Sequence, residues 1–405
     1  MSRCASTVRG RLLCCQTAIS GGNIGSDHGT HQGSMSPSQA LSEFRQLLRD
    51  LAGDLRQFGR DRRRLVDELE TLTSVLLAIL LGHLAGVQHV GWAAFSGYIV
   101  MRSDVRDSFS RGCLRVLGTC IGAAGALLVL RHLQLNPYEQ AVLLGTVGSI
   151  TLYLTLVGRY GYAWLLGGLT YAMVVLASLQ APEQLEQYAL SRLLEVALGT
   201  SACVLVSALS TYGVRARLWP KVPTTVASTP RTLGVWQPLA LRHALQGGLA
   251  LALLSLGATA EIEVDVSQAA ITILAVMVVP FDGLSSAGKA VSRRLLHRML
   301  GCLLGGGLAA LLLLVSQESL WLTLAGVALG VLIGRHLENG PLGIGYLGMQ
   351  FALAFLVVMV PDHYDHIDPV AGLARLGGIL LGFLVLEPVY WLSTWLIRRL
   401  SPGRP

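Results

Sequence analysis

Charged residues are scarce in this sequence. Asp, Glu, Lys and Arg make up 14% of the 405 residues, whereas 52% are hydrophobic. Lysine is almost absent, since it occurs only at Lys221 and Lys289. A soluble domain of this size has too little interior to bury so much apolar surface. The composition therefore excludes an ordinary soluble protein and predicts an integral membrane protein whose apolar side chains face lipid.

The sequence also lacks the usual motifs of catalysis and metal binding. None of its seven cysteines forms a C-x-x-C pair, and no H-E-x-x-H or Ser/His/Asp set is present. Metal-ligand residue types cluster only in the stretch 362–368, which we interpret as a solvated acidic loop. We therefore expect neither an enzyme nor a metal or cofactor site.

The first 34 residues lack the apolar core of a signal peptide, and we expect translation to begin at Met35. Ser36 and Pro37 then form a typical helix start. Leucine and phenylalanine recur every three or four residues from Leu41 to Phe58, opposite an arginine-rich face, which predicts an amphipathic helix. This helix would lie on the cytoplasmic lipid surface, or alternatively form a short coiled coil that makes a homodimer.

Twelve apolar segments follow, and a span needs roughly 20 apolar residues. The first six are 71–88, 90–101, 113–131, 140–157, 162–180 and 193–212; the second six are 242–260, 269–281, 296–315, 320–334, 345–361 and 376–397. A proline-containing polar stretch, 213–241, separates the two sets. The sequence thus predicts an all-α polytopic protein with about 12 transmembrane helices.

The two sets are an internal repeat. Arg111 and Arg294 are 183 positions apart, as are Arg115 and Arg298. The sequences that follow are also similar, since RVLGTCIG from Arg115 resembles RMLGCLLG from Arg298. Six crossings per half make the halves parallel repeats. We expect this domain order: N-terminal region 1–70, first repeat 71–212, linker 213–241, second repeat 242–397 and tail 398–405.

The distribution of arginine sets the orientation. Basic loops at 102–115, 159, 213–242, 289–298 and 335 alternate with acidic or nearly neutral loops. The positive-inside rule then makes both chain ends cytoplasmic. The net charge of +7 is explained by lipid headgroups on that side, so no nucleic-acid partner is expected.

One stretch of the first repeat carries a family resemblance. GWAAFSGYIVM from Gly91, a charged loop, and RGCLRVLGTCIG from Arg111 resemble the signature of the fusaric acid resistance (FUSC) or aromatic acid exporter family. The second half is degenerate, because Cys302 stands where Thr119 stands. The resemblance covers 71–397 and implies a multi-pass exporter of aromatic carboxylates and other organic anions in the bacterial inner membrane. Several such exporters carry a large cytoplasmic domain between the halves, and here that linker is short.

Two features point to a binding site. Segments 90–101 and 269–281 are short and occupy matching positions in the two repeats, where transporters often place their sites. The repeated arginines Arg111, Arg115, Arg294 and Arg298 would bind a carboxylate, or alternatively anchor the helices at headgroups. The family pattern adds Trp92 as a predicted substrate contact.

Four further ionisable residues are candidates. Arg192 and Arg375 lie on the predicted outer side and would form an anion exit site, or alternatively snorkel, with Arg192 pairing with Glu195. Glu195 and Glu387 lie inside predicted spans and are our proton-coupling candidates, a structural hydrogen bond being the alternative for Glu387.

The sequence leaves three functions open. The first is a proton-coupled exporter of small organic anions, the second a passive anion channel on the same scaffold, and the third a membrane scaffold without transport. A periplasmic adaptor is a candidate partner that the sequence does not identify.

Overall fold

The computed structural model describes residues 37–180, 182–218, 237–258, 264–279, 287–316, 319–360 and 369–400. Within these ranges all regular structure is helical. The first-half helices are α1 (Pro37–Leu55), α2 (Arg62–Leu84), α3 (Val90–Val100), α4 (Val105–His132), α5 (Pro137–Val157), α6 (Gly161–Gln180), α7 (Leu185–Leu209) and α8 (Ala216–Leu218). Those of the second half are α9 (Pro238–Gly257), α10 (Val266–Met277), α11 (Ala287–Ser316), α12 (Leu320–Glu338), α13 (Gly345–Met359) and α14 (Pro369–Leu400).

Each predicted apolar segment overlaps one of these helices. In the described part of the chain, eight helices are long and apolar enough to cross a bilayer, and α3, α10 and α13 are shorter apolar helices. The protein is therefore a polytopic α-helical membrane protein, while the number of crossings and the orientation stay predictions. Residues 1–34, most of the linker and the loop 362–368 lie outside the described residues.

Short polar side chains set where several helices begin. Asp104 accepts a hydrogen bond from the backbone of Arg106 at the start of α4, and Asp265 accepts one from Ser267 at the start of α10. Asn136 and Glu139 form a reciprocal capping box at the start of α5. Since Asp104 starts α4 just after α3 ends, α3 is limited to 11 residues, or about 16 Å.

The same close helix contact occurs in both halves. In the first half α4 packs on α6, and an added Cβ at Gly118 would collide with the carbonyl oxygen of Ala163. In the second half α11 packs on α13, and a Cβ at Gly301 would lie 2.6 Å from the carbonyl oxygen of Leu347. Glycine at these positions lets the helix backbones approach closely, as is common in membrane bundles.

Several helix pairs join the two halves, and three of them make the most extensive contacts. α5 packs along α9, α6 contacts α10, and α2 contacts α12. The apolar face of α1 also reaches the second half, where Leu47 is buried against Leu337, Ile344 and Leu347. The halves therefore form a single bundle, and a space between them is bounded by both.

Candidate anion-binding cavity

A cavity of about 480 Å³ lies between the two halves. Helices α3, α4, α6 and α7 line it from the first half, and α10, α11 and α13 line it from the second. Its most polar lining residues are six arginines: Arg111, Arg115, Arg159, Arg192, Arg294 and Arg298. Among the described lining residues none is acidic. Such a cavity has the charge to hold an anion and the volume of a small-molecule site.

Most of the residues predicted from the sequence meet here. The four repeated arginines line the cavity together with Arg192 and Trp92. Arg159, which the sequence analysis treated only as a basic loop residue, is exposed and lies at the cavity as well. Their binding role stays a prediction, but the geometry brings them to one place.

Arg115 is held rigidly in the first half of the cavity. Its guanidinium donates from Nε to Ser96 Oγ and from Nη1 to the Tyr162 hydroxyl, both at 3.2 Å. It also lies 5.4 Å from the ring centre of Phe95. The side chain is only 3% exposed. Because all these partners are neutral, the positive charge of Arg115 is not cancelled by them.

Arg298 occupies the corresponding place in the second half. It is 5% exposed, and its Nε donates to Thr272 Oγ1 at 3.2 Å. Its Nη1 donates to the amide oxygen of Gln350. The partner side chains differ from those of Arg115 but come from the matching helices, α10 and α13. Like Arg115, Arg298 is held by neutral groups, so these described partners do not cancel its charge.

Two further arginines stack on tyrosines. The guanidinium of Arg111 lies 4.1 Å from the ring centre of Tyr162, and that of Arg294 lies 4.6 Å from the ring centre of Tyr346. Stacking is a contact that guanidinium groups make readily and that orients them without neutralising them. The two pairs recur at nearly the same separation in the chain as the arginines themselves.

Arg192 differs from these arginines because it lies beside a carboxylate. It stacks 4.3 Å from the ring centre of Trp92, and its Nη1 lies 3.5 Å from Glu195 Oε2. Glu195 is fully buried and accepts hydrogen bonds from Ser191 Oγ at 2.7 Å and from the backbone N–H of His89 at 3.2 Å. Of the six cavity arginines, Arg192 alone has a carboxylate partner among the described residues.

A family model described as fusaric acid resistance protein-like matches residues 77–207 and 269–386, which together make up more than half of the chain. The chain belongs to this family. The match covers all six cavity arginines, together with Trp92 and Glu195, and leaves out α1. The resemblance predicted from Gly91 onward is thus confirmed.

Curated relatives of the family member share a shorter region. Three proteins named p-hydroxybenzoic acid efflux pump subunit AaeB are similar: 28% identical over 147 residues in Musicola paradisiaca, 29% over 147 in Edwardsiella tarda and 32% over 150 in Edwardsiella ictaluri. The matched region covers 34% of this chain in each case and 22–23% of the relatives, so the chain matches less than a quarter of their length. No solved structure matches the chain.

One predicted residue of this family member lies away from the cavity, and the side chain of another is not described. Glu387 is exposed on the outer surface of α14, beside the exposed Pro388 and Trp391. Arg375 belongs to α14, and its side chain lies outside the described part of the structure. Of the two predicted glutamates, Glu195 therefore contacts a residue that lines the cavity, through its pair with Arg192.

A second group of ionisable residues, not predicted from the sequence, lies where the halves meet. We call it the inter-half ion cluster: Asp67, Glu70, Arg215, Arg335 and Glu338. Arg335 of α12 donates to Asp67 of α2 at 2.6 Å and to Glu338 at 3.1 Å. Arg215 pairs with Glu70 at 2.6 Å. The available signal was the run of acidic residues early in α2, which hydropathy alone assigns to a loop. The cluster ties the family member's two halves together at one end of the bundle.

Proposed function

We propose that this protein is a secondary transporter that exports aromatic carboxylates or related organic anions across the bacterial inner membrane, coupled to proton entry. The observation that carries the proposal is the cavity between the halves, lined by six arginines and, among the described lining residues, no carboxylate. Arginine matches a carboxylate through two parallel hydrogen bonds and keeps its charge at every physiological pH.

The walls of the cavity suit the rest of such a substrate. Phe95, Tyr162 and Trp92 contribute aromatic faces, and Leu165 and Leu353 contribute aliphatic ones. A small-molecule site usually combines an apolar lining with a few convergent polar groups. The named relatives are efflux pump subunits for p-hydroxybenzoic acid, an aromatic carboxylic acid, which supports the same class of substrate here.

The proposal includes the number of membrane crossings, their repeat and their orientation. We take the twelve segments to be crossings that form two parallel repeats with both chain ends cytoplasmic. The recurrence of the glycine contacts and of the arginine–tyrosine pairs in the two halves supports this arrangement. Two similar halves around one central cavity would allow alternating access by rocking of one half against the other.

Proton coupling is assigned to Glu195. This carboxylate is buried and pairs with Arg192, which lines the cavity. Glu195 is therefore the ionisable group that we place beside the anion-binding arginines. Exchange of an outgoing anion for an incoming proton requires that the two occupy the carrier in turn, and Glu195 lies close enough to the cavity for this role.

The test is transport by the purified protein in liposomes with an imposed pH gradient and labelled p-hydroxybenzoate. We expect accumulation driven by the gradient, loss of accumulation in the Arg115→Gln/Arg298→Gln variant, and gradient-independent exchange in Glu195→Gln. Arg131→Gln is the matched control, because Arg131 is 76% exposed and pairs with the exposed Glu186.

Two outcomes would contradict the proposal. Movement of the anion only down its own gradient, with a measurable conductance, would indicate the passive anion channel instead. Absence of movement in every condition, from protein that is monodisperse and folded, would leave the non-transporting scaffold as the remaining function.

A further inference from the structure

The charge of the cavity exceeds what one carboxylate neutralises. Arg192 has Glu195 beside it, whereas the described partners of Arg115 and Arg298 are all neutral. Arg111 and Arg294 rest on tyrosine rings. Guanidinium groups stay charged in proteins, so four buried or half-buried positive charges face one space without a described counter-charge. A ligand with a single negative charge would leave most of them uncompensated.

Within the described part of the structure, hydrogen-bond donors without a protein partner occur in both halves of the cavity. In the first half these are Arg111 Nε and Thr119 Oγ1, and in the second half Arg294 Nη1 and the Tyr346 hydroxyl. All four atoms are buried, and all four residues line the cavity. Buried donors are nearly always paired in proteins, so each half has its own demand for an acceptor.

The cavity that these two groups of donors line also has an apolar lining. Leu165 and Leu169 of α6 and Met349 and Leu353 of α13 contribute to it. The cavity volume of about 480 Å³ lies within the range of sites for drug-sized ligands. The cavity therefore combines one group of polar donors from each half with an apolar lining.

We propose that the preferred substrate carries at least two anionic groups on an aromatic or other apolar body, one group bound by Arg111 and Arg115 and the other by Arg294 and Arg298. This inference rests on the proposed function and narrows its substrate class. A dianion spans both halves, so its binding also holds them together around the cavity.

The decisive test compares two ligands of nearly equal size and different charge. Isophthalate has two carboxylates on a benzene ring, and its monomethyl ester has one. Titration calorimetry on the purified full-length protein near neutral pH should give isophthalate at least about tenfold tighter binding than the ester, since the second carboxylate gains its own charge-assisted hydrogen bonds.

Single-arginine variants add the second arm of the test. Arg298→Gln and Arg115→Gln should each weaken isophthalate by about tenfold or more, because either change removes one of two anchors. The ester has one carboxylate, which can bind to the arginine pair of either half. Each change should therefore weaken binding of the ester by only about twofold. Arg298→Lys, which keeps the charge but not the fork, should lie between, and Arg131→Gln should match the unaltered protein.

Equal binding of isophthalate and its ester would overturn the inference, as would an Arg298→Gln variant that weakens both ligands by the same factor. If the ester and p-hydroxybenzoate are bound and transported while isophthalate has no advantage, this inference fails and the proposed function stands. If no carboxylate binds or moves, both fail. Folding of each variant is checked by its melting temperature before titration.

Discussion

At the scale of residues, the repeat in the sequence predicts which arginines are equivalent but not which side chains they contact. The spacing of 183 identifies Arg115 and Arg298 as equivalent, and both line one cavity. It does not predict that Ser96 and Tyr162 hold the first while Thr272 and Gln350 hold the second. Partners that diverge between the halves leave no pattern in the sequence, since only the three-dimensional contact relates them.

Tyr346→Phe should weaken carboxylate transport without destabilising the protein. The Tyr346 hydroxyl lines the cavity and has no described partner, so its removal costs the fold nothing and deprives a bound anion of one donor. Loss of one such hydrogen bond is worth about 1 kcal/mol, or about fivefold in apparent affinity. The measurement is the concentration dependence of p-hydroxybenzoate uptake into liposomes.

Tyr171→Phe is the control for this prediction. Its hydroxyl is also buried without a described partner, but the residue is not among those that line the cavity. We expect unchanged uptake and an equal or higher melting temperature. Equal effects of the two substitutions on uptake would show that Tyr346 acts through the fold and not through the ligand.

At the scale of elements, hydropathy predicts the apolar part of a helix well and its charged end poorly. α2 begins at Arg62 and so includes the stretch 62–70, which the sequence analysis placed in the N-terminal region. The reason is that Asp67, Glu68 and Glu70 are buried by pairing with groups from α12 and from the turn after α7. Local hydropathy cannot distinguish a buried carboxylate from a loop residue when the partner of that carboxylate lies far away in the chain.

Gly305→Ala should destabilise the bundle, whereas Gly307→Ala, two residues further along α11, should not. An added Cβ at Gly305 would collide with the carbonyl oxygen of Phe351 on α13, and one at Gly307 would meet nothing within 4 Å. Overpacking costs about 1–3 kcal/mol. Alanine in a helix interior is otherwise favoured over glycine by about 1 kcal/mol. Thermal melting in detergent should show a lower midpoint for Gly305→Ala alone; equal midpoints would refute the close α11–α13 contact.

At the scale of the whole molecule, the sequence predicts the contents of the halves better than the way they are joined. The helices, the repeated arginines and the family follow from composition, spacing and motif. The two junctions do not: the cavity needs six arginines from distant helices, and the inter-half ion cluster needs Asp67 beside Arg335. Both arise from the packing of α2 on α12 and of α6 on α10, for which local patterns carry no signal.

The inter-half ion cluster should contribute far more to stability than a surface ion pair. Arg335 is 3% exposed and donates to Asp67, Glu338 and the backbone carbonyl of Met101 at the end of α3. Arg335→Gln would leave two carboxylates without their shared cation, and breaking a buried pair in this way costs about 3–5 kcal/mol. The melting temperature of the purified protein should fall clearly.

Arg131→Gln provides the comparison, because its exposed pair with Glu186 is expected to contribute less than about 1 kcal/mol. Arg335→Lys keeps the charge but cannot reach all three acceptors, so its melting temperature should lie between those of Arg335→Gln and the unaltered protein. If Arg335→Gln has the same melting temperature as Arg131→Gln, the cluster does not hold the halves together. A strongly lowered melting temperature would mean that rocking of the halves has to break these ion pairs at this end of the bundle. The same substitution should then also change the rate of transport.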